Sequence, residues 1–361
     1  MAQYWPKDGE LLPESFKENF FEGAYQVVLD VLSLGFDLTL VGGAPRDWLV
    51  TGKLPSDLDI ELRHRTHFTG EKWEEVISSL YRELKARGHD LEQLSFGIIR
   101  VKLTEGELEF SSPRLEEFHS KEALGHSDFS VQLISDLNYN EAFARRDFTL
   151  NSIGISVGVD DLFKIIDPFG GIQDLKNRQL VAVSDVFACD PVRLCRLVRF
   201  KIKFSAQISE KTKTLLQAMD ASKLTRFYFM REGIKAGFFI FAREFFAIAK
   251  ASQIKLPEDI QKLSFLEGVS VGGESPIDAL EGLADLVLRG EVGEEQLAHF
   301  AQYFQIGGKT LKALTFFKEG LVKQLEPNGL KRLKDNRFWI KPPVALGFYP
   351  ELMKAYLALR G

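Results

Sequence analysis

The chain has 361 residues, of which 45% are hydrophobic and 27% charged, and a formal net charge of −5. That balance excludes a collagen-like, low-complexity or disordered chain and predicts a globular protein of two or three domains. No apolar run approaches the ~20 residues of a membrane span, no basic and apolar leader opens the chain, and the two cysteines, Cys189 and Cys195, form neither a disulfide framework nor a metal-ligand pattern; the cytoplasm is the expected compartment.

Taken in chain order, residues 15–34 have helical apolar spacing (Phe16, Phe20, Phe21, Ala24, Val27, Val28, Val31). Residues 38–42 read as a strand ending at glycine, 45–52 as a short helix stopped by Gly52, and 57–62 as a second strand. An amphipathic helix is predicted over 71–87, ending at Gly88. A hairpin around Glu105-Gly106 joins 98–103 to 107–111. Residues 113–140 are polar and read as a long irregular loop. After the turn at Asp167-Pro168-Phe169-Gly170-Gly171, helical patterns dominate from Asp190 onward. Breaks are predicted near 267–276 and at Pro327-Asn328-Gly329. The fold class that follows is α+β: a small mixed sheet with helices on one side, then an all-helical neck, body and tail.

Charge is unevenly distributed. Residues 191–250 hold 13 Lys+Arg against 4 Asp+Glu, and residues 303–361 hold 11 against 4. The stretch 251–302 is acidic, and so is the first half of the chain. An acidic head and basic helical segments suit a protein that keeps a metal at one end and grips a polyanion along the other.

The most informative segment is Gly42-Gly43-Ala44-Pro45-Arg46-Asp47 followed by Asp57-Leu58-Asp59. Asp57 and Asp59 are two apart on a strand, so both point to one face. Two such carboxylates repel unless a cation sits between them, and hard oxygen ligands suit Mg²⁺. The glycines let backbone N–H groups approach a phosphate at a helix N-terminus. A Gly-Gly turn or an Asp-x-Asp alone is commonplace; together, in order and within one short span, they point to nucleotide chemistry.

Further islands follow: Leu108-Glu109-Phe110-Ser111-Ser112-Pro113-Arg114, Arg145-Arg146-Asp147-Phe148-Thr149-Leu150-Asn151-Ser152, Asp167-Pro168-Phe169-Gly170-Gly171, and Asp190-Pro191-Val192-Arg193-Leu194-Cys195-Arg196-Leu197-Val198-Arg199. Over roughly residues 38–205 this set resembles the class II tRNA nucleotidyltransferase (CCA-adding enzyme) and bacterial poly(A) polymerase family, within the polymerase-β-like nucleotidyltransferases. The resemblance implies a catalytic head over 1–182, a neck carrying the nucleotide-selecting helix over 183–250, and an RNA-binding body and tail over 251–361. It implies Asp57 and Asp59 as ligands of two Mg²⁺ ions and Glu109 as a third catalytic carboxylate. Gly42, Gly43, Arg46, Asp47, Arg145, Arg146, Asp147, Asn151, Asp190, Arg193, Arg196 and Arg199 become nucleotide-binding candidates. Asp147 and Asn151 are expected to orient Arg145 and Arg146, and Asp190 and Arg193, three apart on a helix, to read the base edge.

The implied reaction is template-independent addition of CCA to tRNA 3′ ends from CTP and ATP. Alternatives are poly(A) synthesis, addition of CC or A alone, or an inactive RNA-binding relative. Two departures stand out. Cys189 replaces a family glutamate, an exchange expected to loosen nucleotide selection. In 224–232 only Glu232 remains of an expected acidic and basic brace, with aromatic residues in the place of the Glu-Arg pair. Nothing past about residue 250 is recognisable, and no protein partner is implied.

Overall fold

The computed structural model describes residues 4–118, 129–158 and 162–268, with 293, 295–296 and 298–299 beyond them. The chain divides into two compact units: Met1–Arg193 with Phe204–Met219, and Leu194–Lys203 with Asp220–Gly361. No described helix is long and apolar enough to cross a membrane. Of the break predicted near 267–276, Glu267 and Gly268 close a 3-10 turn and the rest lies outside the described residues, as does the break at 327–329.

The first unit is built on one mixed sheet. Its elements run β1 (Leu11–Leu12), α1 (Ala24–Ser33), β2 (Asp37–Val41), α2 (Gly43–Thr51), β3 (Asp57–Arg63), α3 (Gly70–Ala86), β4 (Asp90–Gln93), β5 (Ile99–Lys102) and β6 (Glu107–Ser111). A separate two-stranded ribbon follows, β7 (Arg114–Phe118) and β8 (Phe129–Leu133), then α4 (Tyr139–Ala144), β9 (Gly154–Val157), β10 (Phe163–Ile166), α5 (Gly171–Lys176) and β11 (Gln179–Leu180). The sheet has eight strands in the order β1-β10-β9-β2-β3-β6-β5-β4. Only β3 and β6 run parallel within it.

Alternation explains how this sheet is used. Along β3, Leu58, Ile60 and Leu62 are buried apolar residues, while Asp57, Asp59, Glu61 and Arg63 occupy the other face. The apolar rows continue through Leu38, Leu40, Leu108, Phe110, Ile99 and Val101. Helices α1 and α3 pack together and present matching buried stripes, Val27, Val28 and Val31 with Trp73, Ile77, Leu80 and Leu84. The opposite face is polar. Its far end is covered by Tyr139 of α4, whose ring lies 3.9 Å from the Arg63 guanidinium and whose hydroxyl is 2.8 Å from Thr39 Oγ1.

Two local expectations are corrected. The N-terminal helix is divided: residues 14–19 form a 3-10 turn, and α1 starts only after Gly23, whose φ of 79° interrupts the helical backbone. The described parts of the stretch 113–140, residues 113–118 and 129–140, are not an irregular loop. They contain the β7–β8 ribbon, five paired positions long, and the start of α4, which Asn138 caps by accepting from the Glu141 N–H at 3.0 Å.

Beyond β11 come α6 (Val192–Phe204), β12 (Gln207–Ile208) and α7 (Glu210–Gln217). The second unit continues with α8 (Arg226–Ala236), α9 (Phe238–Ala251) and α10 (Glu258–Gln261). Its core is aromatic. Phe229 meets Phe238, Phe241 and Phe245 at centroid distances of 5.8, 5.4 and 4.9 Å, all edge to face.

The ribbon is fastened to the head through Glu116. Its side chain, 6% exposed, accepts from Arg114 Nε at 2.9 Å and lies 3.4 Å from Arg145 Nη1. Removing this carboxylate deprives two largely buried guanidinium groups of a shared counter-charge. Glu116→Ala is expected to lower unfolding free energy by about 3–5 kcal/mol, whereas Glu117→Ala, the exposed next residue on the other ribbon face, should change it by less than about 0.5 kcal/mol. Chemical denaturation of the two variants checks this; equal effects would contradict it.

Candidate functional site

Strand β2 ends at Val41, in register with Asp59. The backbone then turns at Gly42, with φ 72° and ψ −124°, and α2 begins at Gly43. A β-carbon on Gly42 would stand 2.6 Å from Asp59 Oδ2. Conformation and space both demand glycine here, because the loop crosses directly over the carboxylate. Peptide N–H groups at the start of the nine-residue α2 thus adjoin an acidic side chain, the juxtaposition that a metal-bound phosphate needs.

Register extends the acidic surface across the sheet. The parallel pairing sets Asp57 beside Glu107 and Asp59 beside Glu109, all four on the polar face. On the next strand Arg100 stands opposite Glu109 and Lys102 opposite Glu107. Arg100 Nε donates to Glu109 Oε1 at 2.9 Å and lies 3.5 Å from Glu107 Oε2, while its Nη1 lies 3.5 Å from Glu92 Oε2. Glu109 raises the Arg100 guanidinium pKa further. The third predicted carboxylate therefore lies beside the aspartates but carries an arginine of its own. Asp57 and Asp59, both exposed, face the Gly42 side of the row. Among the described residues no group of three or more His, Cys, Asp or Glu forms a ready-made metal cage.

The second half of the site is cationic and buried. Arg46, 6% exposed, donates through Nε and Nη2 to the Asp47 carboxylate at 2.9 and 3.0 Å and through Nη1 to Asn151 Oδ1. Asn151 Nδ2 donates on to Asp147 Oδ1 at 2.9 Å, and that oxygen also accepts the Phe148 N–H. The side chains of Asp147 and Asn151 therefore orient Arg46, a role the sequence reading had given them toward Arg145 and Arg146. Arg146 Nη1 lies 3.4 Å from the Asn151 backbone carbonyl, and its guanidinium lies 5.0 Å from the Phe143 ring.

Arg145 is held down to a pKa of about 9 by burial first, and then by the neighbouring Arg114 and Arg146 guanidinium groups. Burial likewise lowers Arg146, opposed by Glu61, Asp59 and Asp147. Nε of Arg145, Nε of Arg146 and Nη1 of Arg193 are buried donors with no hydrogen-bond partner among the described residues. Buried donors of this kind are costly unless an acceptor completes them. A polyphosphate supplies such acceptors, and arginine forks match its geometry.

Asp190 and Arg193 meet differently from the helical pair expected. Asp190 sits before α6, with φ −111° and ψ 108°, and its Oδ1 accepts the Val192 N–H at 2.9 Å, so it caps the helix that starts at Val192 and carries Arg193 in its first turn. Arg193 Nη2 donates to the Arg145 carbonyl at 2.6 Å, and its Nε lies 3.8 Å from Asp190 Oδ2. This ties the two arginine islands together. Arg196 and Arg199 fall in the second unit. Arg199 Nε lies 2.7 Å from Glu232 Oε2, and both guanidinium groups lie over the Phe200 ring, at 5.4 and 4.4 Å.

Sequence reasoning missed Glu61, Arg63, Arg100 and Glu116. For the first two a signal existed: charges at 57, 59, 61 and 63 alternate along β3. Arg100 and Glu116 become visible only through register and a contact between residues 29 positions apart.

The poly(A) polymerase head-domain family matches residues 38–181. The chain is 30% identical over 199 residues to a multifunctional CCA protein of Ralstonia nicotianae, covering 54% of this chain and 42% of that protein. It is 34% identical over 204 residues to a CCA-adding enzyme of Francisella tularensis subsp. novicida, covering 55% and 49%. An A-adding tRNA nucleotidyltransferase of Aquifex aeolicus is 31% identical over 179 residues, covering 49% and 20%. Each match spans less than half of the relative's own length. A CCA-adding enzyme solved with ATP shares the fold at TM-score 0.60 and 16% identity, covering 98% of this chain and 86% of that one. The Thermotoga maritima CCA-adding enzyme solved with tRNA does so at 0.58 and 14%, covering 99% and 87%. Over residues 38–181 the chain thus carries a head domain of the poly(A) polymerase type, and it spans at most about half the length of the curated relatives it matches.

Proposed function

We propose that this protein is a template-independent RNA nucleotidyltransferase that adds CCA to tRNA 3′ ends from CTP and ATP. The RNA 3′-hydroxyl attacks the α-phosphorus, the α–β phosphoanhydride bond breaks, and pyrophosphate leaves. The observation that carries this reading is the seating of Asp59 under the Gly42 turn beside the buried Arg46 and Arg145–Arg146 groups: carboxylates, phosphate-accessible backbone and spare cationic donors in one unit. The relatives named for CCA addition support the choice of product.

The donor set fits a divalent metal. Asp57 and Asp59 supply hard oxygens on one exposed strand face, and Mg²⁺ is commonly bound by one or two carboxylates together with substrate phosphates. When bound, such an ion favours ionisation of the attacking hydroxyl and neutralises the triphosphate. The remaining work falls to the protein. Arg46 braces the turn against Asn151, and the spare Arg145 and Arg146 donors receive phosphate or ribose oxygens. Asp190 accepts from, and Arg193 donates to, the edge of the incoming base. We assign catalysis to 1–182, base selection to the neck over 183–250 and RNA binding to the neck and to 251–361, where basic side chains meet the phosphates of a folded RNA.

The test is incorporation on a tRNA transcript lacking its 3′ CCA, with CTP, ATP and Mg²⁺, read at single-nucleotide resolution. Product is expected to stop after three additions. Asp57→Ala and Asp59→Ala should each lower the rate by at least roughly 10²–10³-fold with RNA binding retained. Arg193→Ala should reduce discrimination between C and A more than it reduces total incorporation. A long A ladder, or addition of C or A alone, would replace CCA addition by a partial or poly(A) activity. Absence of any product would overturn the enzymatic reading.

A further inference from the structure

Helix α8 carries a surface that the head's chemistry leaves unexplained. Phe227 and Ile234 are each 64% exposed and seven residues apart, so they share one helix face. Phe227 and the neighbouring Tyr228 stand edge to face with centroids 5.2 Å apart. The Arg231 guanidinium lies over both rings, 5.6 Å from Phe227 and 4.9 Å from Tyr228. These are the aromatic residues that occupy the place of the expected Glu-Arg pair.

The charge around them is one-sided. Between residues 223 and 235 lie Lys223, Arg226, Arg231 and Lys235, and the single acid is Glu232. Glu232 is only 1% exposed, and its carboxylate is already engaged by Arg199 at 2.7 Å and Arg231 at 3.2 Å. The exposed face is therefore aromatic and cationic. A polyanion with flat rings complements both features. Bases stack on such rings with little regard to sequence, an adjacent guanidinium strengthens the contact, and nearby lysines and arginines take the phosphates.

We infer that Phe227, with Tyr228 and Arg231, forms a stacking platform for an unpaired nucleobase of RNA. This rests on the reading that the protein acts on RNA, but every residue of the platform lies within the second unit, apart from the catalytic residues of the head.

The experiment uses the full chain and two RNA hairpins, one with a short unpaired 3′ tail carrying 2-aminopurine at successive positions, the other blunt. Phe227→Ala is expected to weaken binding of the tailed hairpin by about 5- to 150-fold, to leave the blunt hairpin unchanged, and to abolish the fluorescence change of 2-aminopurine at one tail position. Phe227→Trp should keep the affinity, and its indole emission should change on binding. Equal weakening of both hairpins, or of neither, overturns the platform. Nucleotide incorporation separates the two proposals: normal incorporation with an unaffected Phe227→Ala variant defeats the platform alone, whereas Phe227-dependent binding without incorporation defeats the proposed reaction alone.

Discussion

The head depends on how its sheet tolerates a crowd of like charges. Parallel pairing of β3 with β6 sets Asp57 beside Glu107 and Asp59 beside Glu109, an arrangement that is unfavourable by itself. The adjoining antiparallel strand supplies Arg100 and Lys102 at the matching positions and so offsets the two glutamates. The aspartates form the other end of the row, where the chain turns over Asp59 at a glycine that no other residue could replace without displacing the carboxylate. Strand order, register and the Gly42 turn thus combine to concentrate negative charge at one edge of a polar face. The proposed function places a divalent cation and a polyphosphate at that edge.

A second constraint joins distant parts of the sequence. Arg46 and Asn151, 105 positions apart, share a hydrogen bond, and Asn151 passes the connection to Asp147. Arg193 holds the Arg145 carbonyl, and Glu116 anchors the ribbon beside the Arg145 side chain. The sequence islands are therefore one physical network, in which Arg46 reaches Asn151 and Arg193 reaches the Arg145 carbonyl of the 145–152 island. Such a network is rigid when its members are satisfied. The donors it leaves over are those of Arg145, Arg146 and Arg193, the residues through which an anionic substrate would complete it.

Much of the head was readable before any coordinates. Charges at 57 and 59 alternating with leucine and isoleucine specify a strand with one polar face, and glycine after Val41 marks the turn. Helix α3 follows from the spacing of Trp73, Ile77, Leu80 and Leu84. What escaped was long-range. The β7–β8 ribbon has mixed composition and no tight-turn dipeptide joining its strands, so local periodicity gave it no signature. The N-terminal helix was drawn too long because Phe16 and Phe20 fit a helical stripe, although Gly23 interrupts the backbone. Asp190 was placed on a helix that it instead caps. The pairing of Asn151 with Arg46 is a tertiary contact that spacing cannot report.

The central claim is that Asp57 and Asp59 hold a divalent cation together with the nucleotide. Titrating Mn²⁺ into the protein with CTP present, and following free Mn²⁺ by electron paramagnetic resonance, tests it most directly. Mn²⁺ is the probe because it accepts the same hard oxygen ligands as Mg²⁺. The account predicts CTP-dependent Mn²⁺ binding that is lost in Asp57→Asn and Asp59→Asn, while Glu117→Gln leaves it intact. Undiminished binding in both aspartate variants, or no binding in the unaltered protein, would contradict it.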